Sequence, residues 1–377
     1  MNTATAPLRT VVASAALTLI AGAAIAQDND QSEATSSVYK ATVLISNGGV
    51  PAQNPTAEPN LINGWGLVFG PTTPAWVNSA DGGKSFVFDG TGTPQPQPTP
   101  LVVNVPAPGG GPANPTGIVF SGGMDFVVSN GTASGPARFI FATEQGTIAG
   151  WAPNVDPANA IQVHPANGAA ADDHYTGLAL SGDGTTHLLY ACDFKHQKID
   201  VFDGTFALVH VSGGFVDPTL PSSFSPFGIQ AIGGDIYVTY AHQAKPGDED
   251  EDQGPGKGFV SVFDPTGHFI RRVATRGVLN APWGLALAPA SFGQFGGALL
   301  VGNLGDGTIN AYSARHANKF LGQLKDESGK PLHVDGLWGM QFGNGVLSQK
   351  TNQLFFAAGP HDEADGAFGV VELVVDK

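Results

Sequence analysis

The sequence contains one cysteine, and this scarcity removes disulfide bonds from any account of its stability. Cys192 has no partner within the chain, so no internal cross-link forms even in an oxidising compartment. It follows the apolar stretch of residues 188–191, a setting typical of a small buried hydrophobic side chain. We therefore expect a large hydrophobic core to hold the fold together.

Basic residues are also scarce. The chain has 17 Lys and Arg against 32 Asp and Glu, which gives a formal net charge of −15 at pH 7. A surface of this sign repels a phosphate backbone, so we exclude nucleic acid as a partner. The same charge attracts cations, although solubility alone is a sufficient reason for it.

Long apolar runs are missing beyond the N-terminus. Residues 1–26 contain Arg9, an apolar stretch over residues 11–23 and the tripeptide Ala24-Ile25-Ala26, which is the pattern of a cleaved signal peptide. An uncleaved anchor is the alternative, but the stretch is shorter than the ~20 residues of a spanning helix. We expect export to the periplasm or the extracellular space, no membrane span after cleavage, and a disordered polar leader over residues 27–37.

Several familiar catalytic motifs are absent. The chain has no G-x-S-x-G, H-E-x-x-H, C-x-x-C or phosphate-binding P-loop sequence. These absences argue against serine-hydrolase and nucleotide-dependent chemistry.

What the chain does contain is a repeat. Its 52 glycines and 28 prolines separate short runs rich in Val, Ile, Leu and Phe, as in a protein of many β-strands. Six of these runs begin alike, with a bulky residue or Thr, then Gly, then an apolar segment. The six glycines are spaced 51, 60, 51, 56 and 55 residues apart and are Gly66, Gly117, Gly177, Gly228, Gly284 and Gly339.

The repeat predicts an all-β, six-bladed β-propeller that forms a single domain over residues 38–377 and is a monomer. Residues 38–46 precede the first repeat, so we expect them to pair with residues 369–375 and close the ring. The second repeat holds more strands than one blade needs. Either an extra hairpin decorates blade 2, which we favour, or a seventh blade lies there.

Candidate binding residues follow from the predicted topology. The innermost strand of a blade and the next strand run antiparallel, so the start of one and the end of the other lie at the same face, near the axis. Asn, Asp and Ser are also frequent in turns, which is a sufficient alternative for most of these positions. The candidate ligand-binding residues are Asn78, Asn130, His174, Tyr240, Asn303 and Asp306.

Four residues at these positions are candidates for chemistry. Asp193, His242 and His361 are predicted ligands of one divalent metal ion, Ca²⁺ or Zn²⁺, and with His196 they are the candidate catalytic groups. Solvent-exposed or capping roles are the alternative for each histidine. The acidic run of residues 248–252 is either a solvated loop or a loose Ca²⁺ site.

Five segments of the sequence resemble those of a family of exported bacterial β-propeller proteins of unassigned function. They are residues 60–67, 191–194, 279–285, 300–307 and 335–339. More distantly, the repeat resembles the NHL-type and gluconolactonase-like six-bladed propellers, some of which hold a divalent metal at the axis through Glu, Asn and Asp. The resemblance implies such roles for Asn130, Asn303 and either Asp193 or Asp306, although no Glu precedes the first strand of blade 1.

Two functions remain in competition. The first is a secreted propeller that binds a small molecule, a carbohydrate or a protein at its axial face without turnover. The alternative is a divalent-metal-dependent hydrolase or lyase that acts on a sugar-like or lactone substrate. A purely structural scaffold is a third hypothesis.

Overall fold

The computed structural model describes Met1, residues 37–182 and residues 187–374. The predicted signal peptide apart from Met1, and all of the predicted leader except Ser37, lie outside these residues. Within them the chain is all-β, with two single-turn 3-10 helices at Ala166–Gly168 and Gly293–Phe295. No helix in these ranges has the length and apolar character needed to span a membrane.

Six four-stranded antiparallel sheets form the six blades, as the repeat predicted. Blades 1 to 3 consist of β2 (Gly64–Phe69), β3 (Ala75–Ser79), β4 (Lys84–Phe88) and β5 (Val102–Asn104); β6 (Pro115–Phe120), β9 (Phe139–Thr143), β10 (Ile148–Trp151) and β11 (Ile161–His164); and β12 (Tyr175–Gly182), β13 (His187–Asp193), β14 (Lys198–Phe202) and β15 (Leu208–Val209).

Blades 4 to 6 repeat the pattern, and the last of them includes the N-terminal strand. They consist of β16 (Phe224–Ile232), β17 (Asp235–His242), β18 (Gly258–Phe263) and β19 (Phe269–Thr275); β20 (Pro282–Leu287), β21 (Ala298–Asn303), β22 (Ile309–Ser313) and β23 (Phe320–Gln323); and β24 (Leu337–Phe342), β25 (Leu354–Ala358), β26 (Ala367–Val374) and β1 (Val38–Ser46).

Both termini close the ring, as expected. β1 pairs antiparallel with β26 from Val38 opposite Val374 to Ser46 opposite Ala367. The second repeat contains an extra hairpin and not a seventh blade. β6 pairs directly with β9, while β7 (Val127–Ser129) and β8 (Ser134–Pro136) form a separate two-stranded hairpin. The surplus strands of the second repeat therefore decorate blade 2.

The repeat glycines are explained by the packing of the innermost strands. A Cβ atom on Gly66 would collide with the carbonyl oxygen of Thr116, in the next blade. A Cβ on Gly117 would collide with the backbone nitrogen of Leu178 in the same way. Neighbouring inner strands approach so closely that only glycine fits, which is why each blade keeps one.

Tryptophans fill the centre of the ring. Trp65, Trp283 and Trp338, from blades 1, 5 and 6, belong to one apolar cluster, which we call the axial plug. The rings of Trp65 and Trp338 stack with their centroids 3.6 Å apart, and Trp283 meets Trp338 edge-on at 5.8 Å. The indole N–H of Trp283 donates to the carbonyl oxygen of Thr176 in blade 3 at 3.0 Å. The other members of the plug are Ala80, Phe194, Phe227, Ala241, Ala281 and Leu304.

Candidate functional site

One face of the ring is defined by a repeated backbone hydrogen bond. The residue after the second strand of a blade donates its N–H to the residue before the first strand. The donor and acceptor residues are Ala80 and Asn63 in blade 1 (3.0 Å), Glu144 and Asn114 in blade 2 (3.0 Å), Phe194 and His174 in blade 3 (2.9 Å), and Leu304 and Ala281 in blade 5 (3.0 Å). We call this face the axial mouth.

Glu144 occupies the blade 2 position that the sequence analysis gave to Asn130, and that assignment was wrong. Residues 125–130 come before the second strand of the blade, because β9 is the strand that pairs with β6. Asn130 lies in the β7–β8 hairpin turn, where its Oδ1 accepts from the N–H groups of Thr132 and Ala133, at 2.9 Å each. The Glu-Gln-Gly turn after residues 139–143 was the signal that would have identified Glu144.

A cavity of about 670 Å³ opens at the mouth. Blades 2 and 3 and the acidic loop after β17 enclose it, so residues distant in sequence meet there. Lys195 is the one lysine or arginine among the described residues of the lining, and its Nζ lies 2.8 Å from Asp172 and 2.9 Å from Glu249. The polar lining residues are Glu144, Gln145, Asp172, Asp173, His174, Lys195, Glu249 and Asp250.

Carboxylates from four blades crowd the mouth. Burial, with the nearby acids Asp81 and Glu363 and the acidic loop, raises the pKa of Glu144 to about 8. Burial and the charges of Glu251 and Asp81 raise the pKa of Glu363 to about 7. Burial also raises the pKa of Glu251. We call Asp81, Glu144, Glu251 and Glu363 the mouth carboxylates; they belong to blades 1, 2, 4 and 6.

Amide side chains hold two of these acids in place, and one of the two is joined to the plug. Asn63 donates from Nδ2 to Oε2 of Glu363 at 3.0 Å, and its Oδ1 accepts from Nε1 of Trp338 at 3.1 Å. Asn114 donates to Oδ1 of Asp81 at 2.8 Å. The position of Glu363 therefore depends, through Asn63, on the packing of Trp338.

His174 lies in the cavity lining but supplies no strong positive charge. Its Nε2 is 4.0 Å from Oε1 of Glu144. Burial lowers the pKa of His174, more than the neighbouring acids Glu249 and Asp250 raise it. The imidazole is therefore largely neutral at pH 7, and it supplies no positive charge to Glu144 when that carboxyl ionises at higher pH.

A second acidic group lies beside the cavity in blade 3. Asp173, Asp193 and His196 offer ligand atoms that all lie within 4.8 Å of one another. Asp193 is fully buried and accepts from the backbone N–H of His174 at 3.1 Å. Its Oδ2 lies 2.7 Å from Nδ1 of His196, and this hydrogen bond raises the pKa of His196.

The ammonium group of Lys198 already occupies the place of a cation in this group. Its Nζ lies 3.0 Å from Asp173, 3.3 Å from Asp193 and 2.7 Å from Asp200. Burial by itself would raise the pKa of Asp173, but hydrogen bonds with Asp193 and Lys198 outweigh it and keep this pKa low. The group is neutralised from within, and its residues do not fit a resident metal ion.

The predicted metal ligands do not come together as a set. Asp193 meets His196, but His242 pairs with Asp252 at 2.9 Å and His361 pairs with Asp365 at 2.7 Å. Among the described residues, the group of potential ligands that meets includes neither His242 nor His361.

The remaining predicted binding residues are engaged in the fold. Asn78 is buried and donates to the carbonyl oxygen of Thr116 in the next blade at 2.9 Å. Asn303 donates to Val278 at 2.8 Å. Asp306 accepts from the hydroxyl of Thr308 at 2.7 Å. Tyr240 lies in the core between blades 3 and 4, because its position on β17 points it between the sheets and not into the mouth.

Comparison with known proteins shows relatives along most of the chain. No family model matches it. It is 32% identical to the uncharacterised protein R648 of Acanthamoeba polyphaga mimivirus over 340 residues, which cover 88% of this chain and 80% of R648. The uncharacterised mimivirus protein L690 is 31% identical over 347 residues, which cover 90% and 86%. These relatives are viral, so the expected bacterial origin of the family is not supported.

Solved structures support the fold alone. A protein of unknown function from Bacteroides thetaiotaomicron aligns with a TM-score of 0.52 at 9% identity, over 89% of this chain and 77% of that one. The virginiamycin B lyase of Staphylococcus aureus aligns with a TM-score of 0.45 at 14% identity, over 89% of this chain and 100% of the lyase. Similarity at this level carries no argument about activity.

Proposed function

This chain belongs to the same family as the uncharacterised mimivirus proteins R648 and L690, and from its own residues we propose that it is a binding protein that holds a cation at its axial mouth, without turnover. The observation that carries the proposal is the crowding of the mouth carboxylates. Burial, and after it the charges of the neighbouring acids, raise the pKa of Glu144 to about 8 and that of Glu363 to about 7, so part of the resistance to ionisation is repulsion between carboxylates. A bound cation would relieve that repulsion.

The donor atoms favour a hard cation. The mouth carboxylates offer oxygen, and oxygen ligands suit Ca²⁺ better than Zn²⁺. A cavity of about 670 Å³ also has room for an organic ammonium ion. Both ligands use the same charge complementarity, and we take Ca²⁺ as the primary ligand because the charged donors at the mouth are carboxylate oxygens.

Calorimetric titration of Ca²⁺ into the purified protein tests the proposal. We expect saturable binding that is tighter at pH 8.5 than at pH 6, because Glu144 and Glu363 ionise between these values. Glu144→Gln and Glu363→Gln should each weaken binding about tenfold or more. Glu327→Gln is the matched control, since Glu327 is an exposed acid in the turn after β23.

Two outcomes would contradict calcium binding. One is the absence of both heat and thermal stabilisation at millimolar Ca²⁺, and the other is unchanged affinity in Glu144→Gln. A parallel titration with spermidine separates the two cation classes. If spermidine binds with the same dependence on Glu144 and Ca²⁺ does not, the ligand is an organic cation.

The competing function, a divalent-metal-dependent hydrolase or lyase, finds less support. The pair formed by Asp193 and His196 has the geometry of an oriented base, with Nδ1 held at 2.7 Å. The metal that such a reaction needs would have to displace the ammonium group of Lys198, which lies 3.3 Å from Asp193. Binding is therefore the function that the geometry favours.

We also propose that the protein is exported, on the basis of residues 1–26. N-terminal sequencing of protein secreted by an expressing cell should begin at Gln27. Recovery of the uncleaved chain from the cytoplasm would exclude export. An exported protein can use weak calcium sites, with dissociation constants on the order of 10⁻⁴ M.

A further inference from the structure

The outer edge of blade 3 is incomplete. β14 has five residues, and all five pair with β13 on its inner side. On its outer side β14 pairs with β15 only at Val201 and Phe202, because β15 has two residues. It is the shortest outer strand among the six blades that the structure describes. Residues 198–200 therefore have no strand paired with them on the outer side.

The main-chain groups of Ile199 face this open edge. Asp203 donates its N–H outward, to Ala207, at 2.9 Å. Main-chain directions alternate along a strand, so the N–H and C=O of Ile199, four residues earlier, point the same way. Within the described ranges neither group has a hydrogen-bond partner. An unpaired edge of this kind is a template for another strand.

Two connected cavities adjoin the edge. The larger, of about 420 Å³, is lined by residues 198–201 and 208–211. The smaller, of about 240 Å³, extends between blades 3 and 4. Both include Lys198, Ile199, Gly214 and Phe215, so they meet at the open edge. We call them together the edge crevice.

The smaller cavity is shaped for an apolar side chain. Phe215, Leu220 and Phe224 are among its lining residues. Tyr240 lines it too, and its hydroxyl is buried without a hydrogen-bond partner.

The rim of the crevice is apolar and exposed. Leu208, beside the larger cavity, is 56% exposed, and Val216, beside the smaller one, is 65% exposed. Each is among the most exposed large hydrophobic side chains of the described propeller. Exposed apolar groups that flank a cavity are typical of a surface that a partner covers.

We propose that the edge crevice binds an extended, apolar peptide segment of a partner protein, which adds to β14 as an outer strand. The peptide main chain bonds the N–H and C=O of Ile199, and one of its side chains enters the cavity beside Tyr240. A peptide is favoured over a small molecule because strand addition uses unpaired main-chain groups for hydrogen bonds and a neighbouring pocket for a side chain, and the edge crevice offers both. This site is separate from the axial mouth and does not depend on cation binding.

Fluorescein-labelled seven-residue peptides provide the test. They alternate Thr with Val and carry Leu, Phe or Thr at the centre, with Lys at the end for solubility. Fluorescence anisotropy with the wild-type protein should show saturable binding of the Leu and Phe peptides and weaker binding of the Thr peptide. N-methylation of the peptide amides that face β14 should abolish binding, whereas N-methylation of the opposite amides should not.

Protein variants test the same contacts from the other side. Ile199→Pro removes the outward N–H and spares the bonds to β13, so it should weaken binding about tenfold. Ile199→Val keeps the N–H and is the matched control.

Three results would overturn the proposal. They are no saturable binding of any peptide to the wild-type protein, equal binding of both N-methylated series, and unchanged affinity in a folded Ile199→Pro variant. If Ile199→Pro does not fold, the two N-methylated series still decide the question on the wild-type protein. Binding of benzamide in the crevice together with insensitivity to N-methylation would identify a small-molecule pocket and exclude strand addition.

Discussion

The ammonium nitrogen of Lys198 lies 3.3 Å from Oδ2 of Asp193, a carboxylate that is fully buried. The same nitrogen lies 3.0 Å from Asp173, so one lysine bridges the two acids that a metal ion would have to bridge. Blade 3 thus carries its own counter-ion. The axial mouth has only Lys195 among the described residues of its cavity lining, and the contrast explains why we assign cation binding to the mouth.

Replacing this lysine should create a metal site. In Lys198→Met, the ligand atoms of Asp173, Asp193 and His196 remain within 4.8 Å of one another but lose their counter-charge. We expect Zn²⁺ to raise the melting temperature of the variant and to leave that of the wild type unchanged. Lys350→Met, at an exposed position, is the control. Equal Zn²⁺ stabilisation of the wild type and the variant would show that Lys198 does not fill the site.

Stability without metal should fall as the pH rises. Folding raises the pKa of Glu144 from 4.5 to about 8, so the folded state holds a proton that the unfolded state releases. The favourable contribution is complete below about pH 4.5 and is lost as the pH rises through 8. Glu144→Gln should therefore melt higher than the wild type at pH 8.5 and near it at pH 5.

Thermal melts from pH 5 to pH 9 in the presence of a chelator give this measurement. Glu363, with a pKa raised from 4.5 to about 7, contributes with the same sign over a narrower range. Glu327→Gln should follow the wild-type curve. A difference between Glu144→Gln and the wild type that does not vary with pH would show that Glu144 is not the titrating group.

The axial plug should contribute both to stability and to the mouth. Trp338 is 1% exposed and stacks on Trp65, so Trp338→Ala should lower the free energy of unfolding by about 3–5 kcal/mol. Trp338→Phe keeps an aromatic ring and should lose less, but it removes the bond from Nε1 to Asn63. Urea denaturation measures both variants.

Calcium titration of Trp338→Phe then tests the link from plug to mouth. Asn63 positions Glu363 through a 3.0 Å bond, so a loosened Asn63 should weaken Ca²⁺ binding even in a folded variant. Calcium affinity equal to that of the wild type would show that the plug does not position the site.

A buried ion pair joins blade 4 to the loop that precedes it, and breaking this pair should destabilise the folded protein. Arg272 donates from Nε to Oδ2 of Asp217 at 2.9 Å, and the Asp217 side chain is fully buried. Arg272→Ala leaves this carboxylate unpaired and should cost about 3–5 kcal/mol. The double variant Arg272→Met with Asp217→Leu should recover part of that loss. Denaturant midpoints of the wild type, Arg272→Ala and the double variant provide the measurement. A double variant as unstable as Arg272→Ala would show that an unpaired buried charge is not the cause of the loss.

The architecture was predictable because short sequence features that recur in every repeat determine it. Gly66 and its five equivalents mark a packing constraint that recurs in every blade, and the polar turns mark the strand ends. The position of β1 also followed, since a strand ahead of the first repeat has one open edge to fill. Six blades and ring closure were thus determined by the sequence.

Which residues meet at the mouth was decided by the tertiary structure. Glu144 was missed because two candidate strands precede it, and only the pairing of β6 with β9 shows which one belongs to the blade. Lys198 is five residues from the predicted metal ligand Asp193, and this spacing alone does not rank it above other lysines as a counter-ion. Charge crowding and counter-ions depend on through-space distances between blades, which a periodic sequence does not encode.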